Sequence, residues 1–98
     1  MEFQFTEGRV FSVDEKQDVI AEATYHSIGH NEVDIDHTYV NPAYRGQGVA
    51  GILMQAVAAY LRDNGLKAVG SCSYANAWFH KNRETFGDVI LKVDESRI

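Results

Sequence analysis

Apolar and polar residues alternate along the first forty positions of the chain, and short polar breaks separate the alternating runs. A period of two residues is typical of strands that bury one face. Because the breaks are rich in turn-forming residues, as in the Gly29-His30-Asn31 segment, the runs are expected to pair as a meander. The pattern therefore predicts three or four antiparallel strands near residues 3–5, 10–13, 19–25 and 33–40.

The spacing of apolar residues becomes that of a helix after residue 48. The positions expected to share one buried helical face are Val49, Ile52, Leu53, Ala56, Val57, Tyr60 and Leu61. A typical helix C-terminus, Asn64-Gly65, comes after them. A strand over residues 66–71, an aromatic-rich helix over residues 74–82 and a closing strand over residues 89–93 follow. The predicted order is ββββ-α-β-α-β, a single mixed α/β (α+β) domain spanning residues 1–98, with two main helices.

A glycine-rich turn at residues 40–51 joins the fourth strand to the first helix. The first amides of a helix have no partner within the helix, and the helix dipole makes this end positive. The segment is therefore suited to an anion such as a pyrophosphate. A Walker A loop is excluded because Gly-Lys-Ser/Thr is missing. A dinucleotide fold is excluded because Asn41 and Pro42 separate strand from turn, and the chain is too short for a two-half Rossmann sheet.

The same turn resembles the acetyl-CoA signature of the GNAT acetyltransferase superfamily, Q/R-x-x-G-x-G/A, which Arg45, Gly48 and Ala50 match. The order of elements is also that of the GNAT core, so the resemblance covers nearly the whole chain. More narrowly, the chain looks like the very small, single-domain YjdJ-type GNAT proteins. The points of match are the strand segment 34–38, the loop 42–51 and Ser71-Cys72-Ser73.

The resemblance implies a mostly antiparallel sheet whose fourth and fifth strands splay apart, with the pantetheine arm of acetyl-CoA in the gap. Thr38 and Val40 on the fourth strand would then border the arm. The pyrophosphate would be held by backbone amides of the turn and helix start, at Arg45, Gly46, Gln47, Gly48, Val49, Ala50 and Gly51. Further contacts to the cofactor are expected from the second helix, at Asn76, His80 and Lys81.

Composition limits the classes of partner. The 98 residues are 45% hydrophobic with a net charge of −5, which indicates a small globular domain and argues against nucleic acid as a partner. No apolar run reaches the length of a transmembrane helix, and the first residues are not those of a signal peptide, so no membrane partner is expected. The single Cys72 cannot form an internal disulfide, which favours a reducing, cytoplasmic setting. The expected partners are acetyl-CoA and an amine acceptor, in a monomer or a homodimer.

The candidate proton donor departs from the usual GNAT pattern. Many GNAT enzymes place a tyrosine in the helix after the fifth strand, where it protonates the departing CoA thiolate. The resemblance puts Phe79 at that position, and Phe79 cannot donate a proton. Cys72 could donate instead, could accept the acetyl group covalently, or could be a small buried hydrophobe. Tyr74 could also be the donor, or could pack in the core.

The candidate base is His37, since an unperturbed imidazole titrates near neutral pH, or a water held by Asp36. Strict alternation puts Asp34 and Asp36 on one strand face and His37 on the other, unless a bulge intervenes. Without functional roles, the two aspartates would be a solvated face and His37 a hydrogen-bonded core histidine. The histidines do not have a recognised metal spacing, so no metal is predicted.

Two further expectations concern function. The two helices that follow the first strand in larger GNAT enzymes have no room here, so the acceptor side should be open and should suit an extended or macromolecular amine. An acetyl-CoA-dependent N-acetyltransferase is the expected function. The alternative is a non-catalytic CoA-binding or protein-interaction module on a reduced GNAT fold.

Overall fold

A computed structural model describes residues 1–98 and shows a five-stranded sheet in the order β1-β2-β3-β4-β5. The strands are β1 (Gln4–Thr6), β2 (Arg9–Val13), β3 (Val19–Gly29), β4 (Glu32–Val40) and β5 (Lys67–Gly70). The first four form an antiparallel meander, and β5 runs parallel to β4. The alternating pattern thus predicted the meander correctly, and the mixed fold class is confirmed.

The helices are α1 (Val49–Asp63), α2 (Ser73–Lys81) and a single turn, α3 (Arg83–Phe86). Both α1 and α2 pack on one face of the sheet, where their apolar side chains join those of the strands in one core. Val49, Leu53, Val57 and Leu61 are buried as predicted. Ile52 is 44% exposed, so its predicted burial is wrong. Met54 and Ala58 are buried in its place because the stripe of α1 that meets the sheet is rotated toward them.

The opposite face of the sheet is open to solvent. Only a two-residue turn separates β1 from β2, so the chain has no segment at this point that could form covering helices. The side chains on this face are all at least partly exposed, and they are Arg9, Phe11, Glu22, Thr24, His26, Asp34, Asp36, His37 and Tyr39. The domain therefore has two layers, helices on sheet. No helix has both the length and the apolar character needed to cross a membrane.

The predicted closing strand is wrong as an element, because residues 89–93 form only one bridge to the sheet. Ile90 pairs with Ala68, and the Leu91 amide donates to the Ala68 carbonyl at 2.8 Å. A 3-10 turn, Gly87–Val89, buries Val89 just before the bridge. After the bridge at Ile90, the chain leaves the sheet edge and runs along α2, where the side chain of Asn76 hydrogen-bonds the backbone of Asp94.

Replacing Gly70 with alanine should destabilise the domain. A Cβ at Gly70 would lie 2.7 Å from the backbone nitrogen of Asn76 and 3.0 Å from the Ala75 Cβ, so α2 would have to move away from β5. Overpacking of this kind costs about 1–3 kcal/mol, which should lower the melting temperature by roughly 5–20 °C. The matched control is Gly87→Ala, where an added Cβ meets nothing within 4 Å. Equal melting temperatures for the two variants in a thermal scan would contradict the close approach of α2.

Candidate functional site

The glycine-rich turn is held in place by side chains that precede it. Asn41 begins a 3-10 turn, Pro42–Tyr44, and its side-chain oxygen accepts from the Ala43 amide at 3.0 Å. The Asn41 amide group also donates to the Val19 carbonyl at 3.0 Å. The Tyr44 hydroxyl donates to Asp14 Oδ2 at 3.2 Å. The turn is therefore tied to both ends of the β2–β3 connection.

Backbone conformation explains the two glycines of the turn. Gly46 and Gly48 have φ of 81° and 73°, in the left-handed region that favours glycine. Gly48 is the N-cap of α1, and the first intrahelical hydrogen bond runs from the Ile52 amide to the Gly48 carbonyl at 3.2 Å. The amides of residues 49–51 therefore have no intrahelical acceptor, and the first turn of α1 contains no acidic residue. This helix start has the donors and the dipole that an anion needs.

Arg45 folds back over the end of β4, where its Nε donates to the Val40 carbonyl at 3.3 Å. The side chain of Arg45 is exposed, so the rest of its guanidinium faces solvent beside the helix start. Two residues predicted to border the cofactor are thus in direct contact.

The gap between β4 and β5 opens where their pairing stops. The paired residues run from Glu32 with Lys67 to Ile35 with Gly70. Beyond this point β4 continues to Val40, while the segment after β5 turns into α2. Thr38 and Cys72 face each other across this gap, with 3.3 Å between Oγ1 and Sγ, and both are half-buried. The Cys72 amide donates to the Ile35 carbonyl at 3.1 Å, and the Cys72 carbonyl accepts from the Asn76 amide. The structure therefore brings these two predicted residues together at the start of the splay.

A bulge in β4 changes which residues share the open face. Thr24 pairs with His37 and Tyr25 pairs with Ile35, so Asp36 is the extra residue. A bulge shifts the alternation by one, and Asp36 and His37 both lie on the open face. Of the two arrangements that the sequence left open, strict alternation and a bulge, the structure has the bulge. A core position for His37 is wrong, because its side chain is 53% exposed and its Nε2 lies 4.0 Å from Glu22 Oε2.

Asp36 is held by two neighbours on β3. The Thr24 hydroxyl donates to Oδ1 at 2.5 Å, and His26 Nδ1 lies 2.5 Å from Oδ2. These contacts, the Thr24 hydrogen bond first, lower the pKa of Asp36 below its ordinary value. Asp36 is therefore a carboxylate at neutral pH. Thr24 and His26 were not identified from the sequence. Two register shifts in the β3–β4 hairpin, at Ser27/Gly29 and at Thr24/Tyr25, decide which residues of β3 lie beside Asp36, and neither has a local sequence signal.

Two residues of α2 that were predicted to contact the cofactor, Asn76 and His80, contact the C-terminal segment in the structure. Asn76 is buried, and its side chain donates to the Asp94 carbonyl and accepts from the Asp94 amide, both at 2.9 Å. His80 Nδ1 lies 3.3 Å from Glu95 Oε2. Both side chains therefore contact the C-terminal segment, and a contact of either with a cofactor stays a prediction. Lys81 is exposed.

Phe79 and Tyr74, the two aromatic residues considered for the position of the proton donor, differ in exposure. Phe79, at the position of the expected proton donor, is fully buried in the core. Tyr74 is 40% exposed, and partial burial of its hydroxyl raises its pKa, so it keeps its proton at neutral pH. Tyr74 therefore remains able to donate a hydrogen bond.

Arg97 is a further residue at the site that no local pattern indicated. Its guanidinium donates to the carbonyls of Gly70, at 2.5 Å, and Ser71, at 3.0 Å. It thus holds the end of β5 immediately before Cys72.

The family profile described as GCN5-related N-acetyl-transferase matches residues 10–89. The protein NATD1 of Homo sapiens is 36% identical over 58 residues, which are 59% of this chain and 51% of that protein. NATD1 of Mus musculus is also 36% identical over 58 residues, covering 53% of that protein. The chain spans about half the length of these curated relatives.

Solved structures are similar over more of the chain. A GCN5-like protein of Staphylococcus aureus, solved by NMR, has a TM-score of 0.76 at 35% identity, covering 96% of this chain and 91% of that one. Tetrahymena GCN5 has a TM-score of 0.61 at 14% identity, covering 74% of this chain and 48% of that one. The second likeness is one of fold alone.

Proposed function

Because this chain belongs to the GCN5-related N-acetyltransferase family, we propose that it binds acetyl-CoA and transfers the acetyl group to an amine. The observation that supports this best is the continuity of two features, the open helix start at α1 and the gap between β4 and β5. Arg45 lies between them, in contact with Val40 at the end of β4. One elongated ligand with an anionic middle and a narrow arm would occupy both.

The binding proposal assigns a task to each end of the site. The backbone amides between Arg45 and Gly51 would hold the pyrophosphate, with the Arg45 guanidinium beside it. Thr38 and Val40 would border the pantetheine arm where β4 lacks a neighbouring strand. The thioester would then lie near Cys72, because Cys72 faces Thr38 across the gap.

The transfer proposal is a direct attack of a neutral amine on the thioester carbonyl. The C–N bond forms, the C–S bond breaks and the thiolate of CoA takes up a proton. Cys72 and Tyr74 are the candidate donors of that proton, since Phe79 is buried and has no hydroxyl. In a second route, the Cys72 thiolate would accept the acetyl group first and pass it to the amine.

The acceptor would approach over the open face of the sheet. Glu22, Asp34 and Asp36 make part of this face negative, which favours a cationic amine. Because no helix covers the face, an extended or macromolecular amine would fit it. On account of its single free cysteine, we place the protein in the cytoplasm. It would act there as a monomer or a homodimer.

Acetyl-CoA and a panel of alkylamines and lysine-containing peptides test the proposal. Wild-type protein should release CoA in proportion to the acetylated amine, as measured by thiol titration and mass spectrometry. The alternative of a non-catalytic CoA-binding module draws on the buried Phe79, which leaves the usual donor position without a hydroxyl. Tight binding of acetyl-CoA in calorimetry with no amine-dependent turnover would favour that module, and no binding at all would contradict both functions.

A further inference from the structure

His26 stands in an ordered polar cluster on the open face of the sheet. Its Nδ1 lies 2.5 Å from Asp36 Oδ2, and the other carboxylate oxygen accepts from the Thr24 hydroxyl. Its Nε2 lies 3.9 Å from Asp34 Oδ2. The four residues come from two neighbouring strands, Thr24 and His26 from β3 and Asp34 and Asp36 from β4, so the sheet itself fixes their spacing.

The cluster determines the tautomer of His26. An ionised carboxylate can only accept hydrogen bonds, so the nitrogen that faces Asp36 carries the proton. In the neutral ring the lone pair is then on Nε2. The His26 side chain is 55% exposed, which leaves Nε2 open to a ligand that approaches over the sheet. A carboxylate that holds one imidazole nitrogen while the other faces a substrate is the arrangement of a general base.

The cluster also borders the gap between β4 and β5. Asp34 Oδ1 accepts from the Ser71 amide at 2.7 Å, and Ser71 immediately precedes Cys72. Asp34 pairs with Val69 one position before the last β4–β5 pair. His26 is thus one side chain away from the segment where the strands separate.

Neither of the other candidate bases has this arrangement. Both oxygens of Asp36 are engaged, by Thr24 and by His26, so Asp36 is placed to orient a neighbour. His37 is exposed, and the carboxylate nearest to it, on Glu22, is 4.0 Å away. Glu22 is itself paired with Arg9. His37 therefore lacks a partner that would fix its ring.

We infer that His26 is the base that deprotonates the acceptor ammonium, with Asp36 as its positioning residue. The inference rests on the proposed acetyl transfer. One N–H bond of the ammonium breaks, its proton binds Nε2 and the ring becomes an imidazolium beside the carboxylate of Asp36. The neutral amine attacks the thioester, and its second proton goes to the departing CoA thiolate. His26 returns its proton to solvent.

The charges around His26 suit this step. Asp34 and Asp36 face it from β4. Arg9, the basic residue on the neighbouring part of β2, is paired with Glu22. The surroundings of Nε2 are therefore predominantly negative, which attracts a primary ammonium.

The test compares His26→Gln with His30→Gln, a matched change at an exposed histidine in the turn of the same hairpin. Each is assayed with the amine that wild type acetylates and with its aminooxy analogue, which is already neutral at neutral pH. His26→Gln should lower kcat with the amine by roughly 10²-fold or more. With the aminooxy analogue its loss should be less than about 10-fold, because no ammonium has to be deprotonated. His30→Gln should resemble wild type with both.

The Asp36 variant separates a positioning residue from a structural one. Asp36→Asn should lower kcat with the amine more than with the aminooxy analogue, while acetyl-CoA affinity stays within about twofold of wild type.

The outcomes distinguish this inference from the proposed function. Equal losses with the amine and the aminooxy analogue in His26→Gln, or a larger loss in His37→Gln, would each overturn the role of His26. The proposed function would survive those results. If wild type neither binds acetyl-CoA nor acetylates any amine, the proposed function fails first, whatever the His26 variant does.

Discussion

Replacing Gly51 with glutamate should make the domain more stable and yet nearly abolish acetyl-CoA binding. Gly51 lies in the first turn of α1, its φ is not positive and an added Cβ meets nothing within 4 Å. Removing a helical glycine gains about 0.5–1 kcal/mol, and an acidic residue at a helix start gains about 0.3–1 kcal/mol. The melting temperature should therefore rise by roughly 5–15 °C.

The effect on binding has the opposite sign because the new carboxylate would lie beside the pyrophosphate. Two like charges about 5 Å apart repel by about 3 kcal/mol at an effective dielectric constant of about 20. The dissociation constant, measured by calorimetry, should increase on the order of 10²-fold. Gly51→Gln is the neutral control, and it should keep the gain in stability with only a several-fold loss of affinity. If the Gly51→Glu protein binds acetyl-CoA as tightly as wild type, the pyrophosphate is not at this helix start.

Gly51 is a better position for this experiment than Gly48. Gly48 has φ of 73°, so a branched residue such as valine would strain the backbone and could disturb the turn itself. A loss of binding in Gly48→Val would then have two explanations. At Gly51 the change in stability and the change in affinity go in opposite directions, which excludes unfolding as the cause.

Cys72 should become acetylated when the protein is incubated with acetyl-CoA, if the covalent route operates. Its sulfur lies beside the gap, 3.3 Å from the Thr38 hydroxyl and at the N-cap of α2. The thiolate attacks the thioester carbonyl, the bond to the sulfur of CoA breaks and one acetyl group is transferred. Mass spectrometry should detect a single acetyl adduct at Cys72, and hydroxylamine should remove it.

Substitutions distinguish the three roles of Cys72. Cys72→Ser should lose the adduct and reduce turnover by roughly 10²-fold, since no base contacts this position to activate a hydroxyl. An acid role predicts the same loss of turnover in Cys72→Ala, with no adduct in wild type. Thr38→Val is the control for the neighbouring hydroxyl, and it should keep the adduct. Full acetyl transfer by Cys72→Ala would eliminate both chemical roles and leave Cys72 a packing residue.

The sequence alone determined those features that depend on neighbours along the chain. The alternation of residues 3–40 predicted the meander, and the apolar spacing from Val49 onward predicted α1. The glycine-rich turn could also be recognised, because left-handed φ values at Gly46 and Gly48 and free amides at a helix start are local properties. The resemblance to the acetyltransferase family rested on this turn and on the order of elements, and it is confirmed.

Contacts between distant segments decided the rest. Whether His37 faces the core or solvent depends on the bulge at Asp36, which is a matter of register between β3 and β4 and has no local signature. The same register brings His26 to Asp36 across the hairpin.

The C-terminal residues show even more plainly that contacts between distant segments could not be predicted from the sequence. Residues 89–93 have the apolar composition of a strand, yet they form a single bridge because Val89 is buried in a turn and Asn76 draws Asp94 toward α2. Arg97 reaches the carbonyls of Gly70 and Ser71 from 26 or more positions away. The periodicity of a segment describes which of its residues face the core. It does not indicate which groups of two remote segments will form hydrogen bonds with each other. Only the tertiary structure decides that.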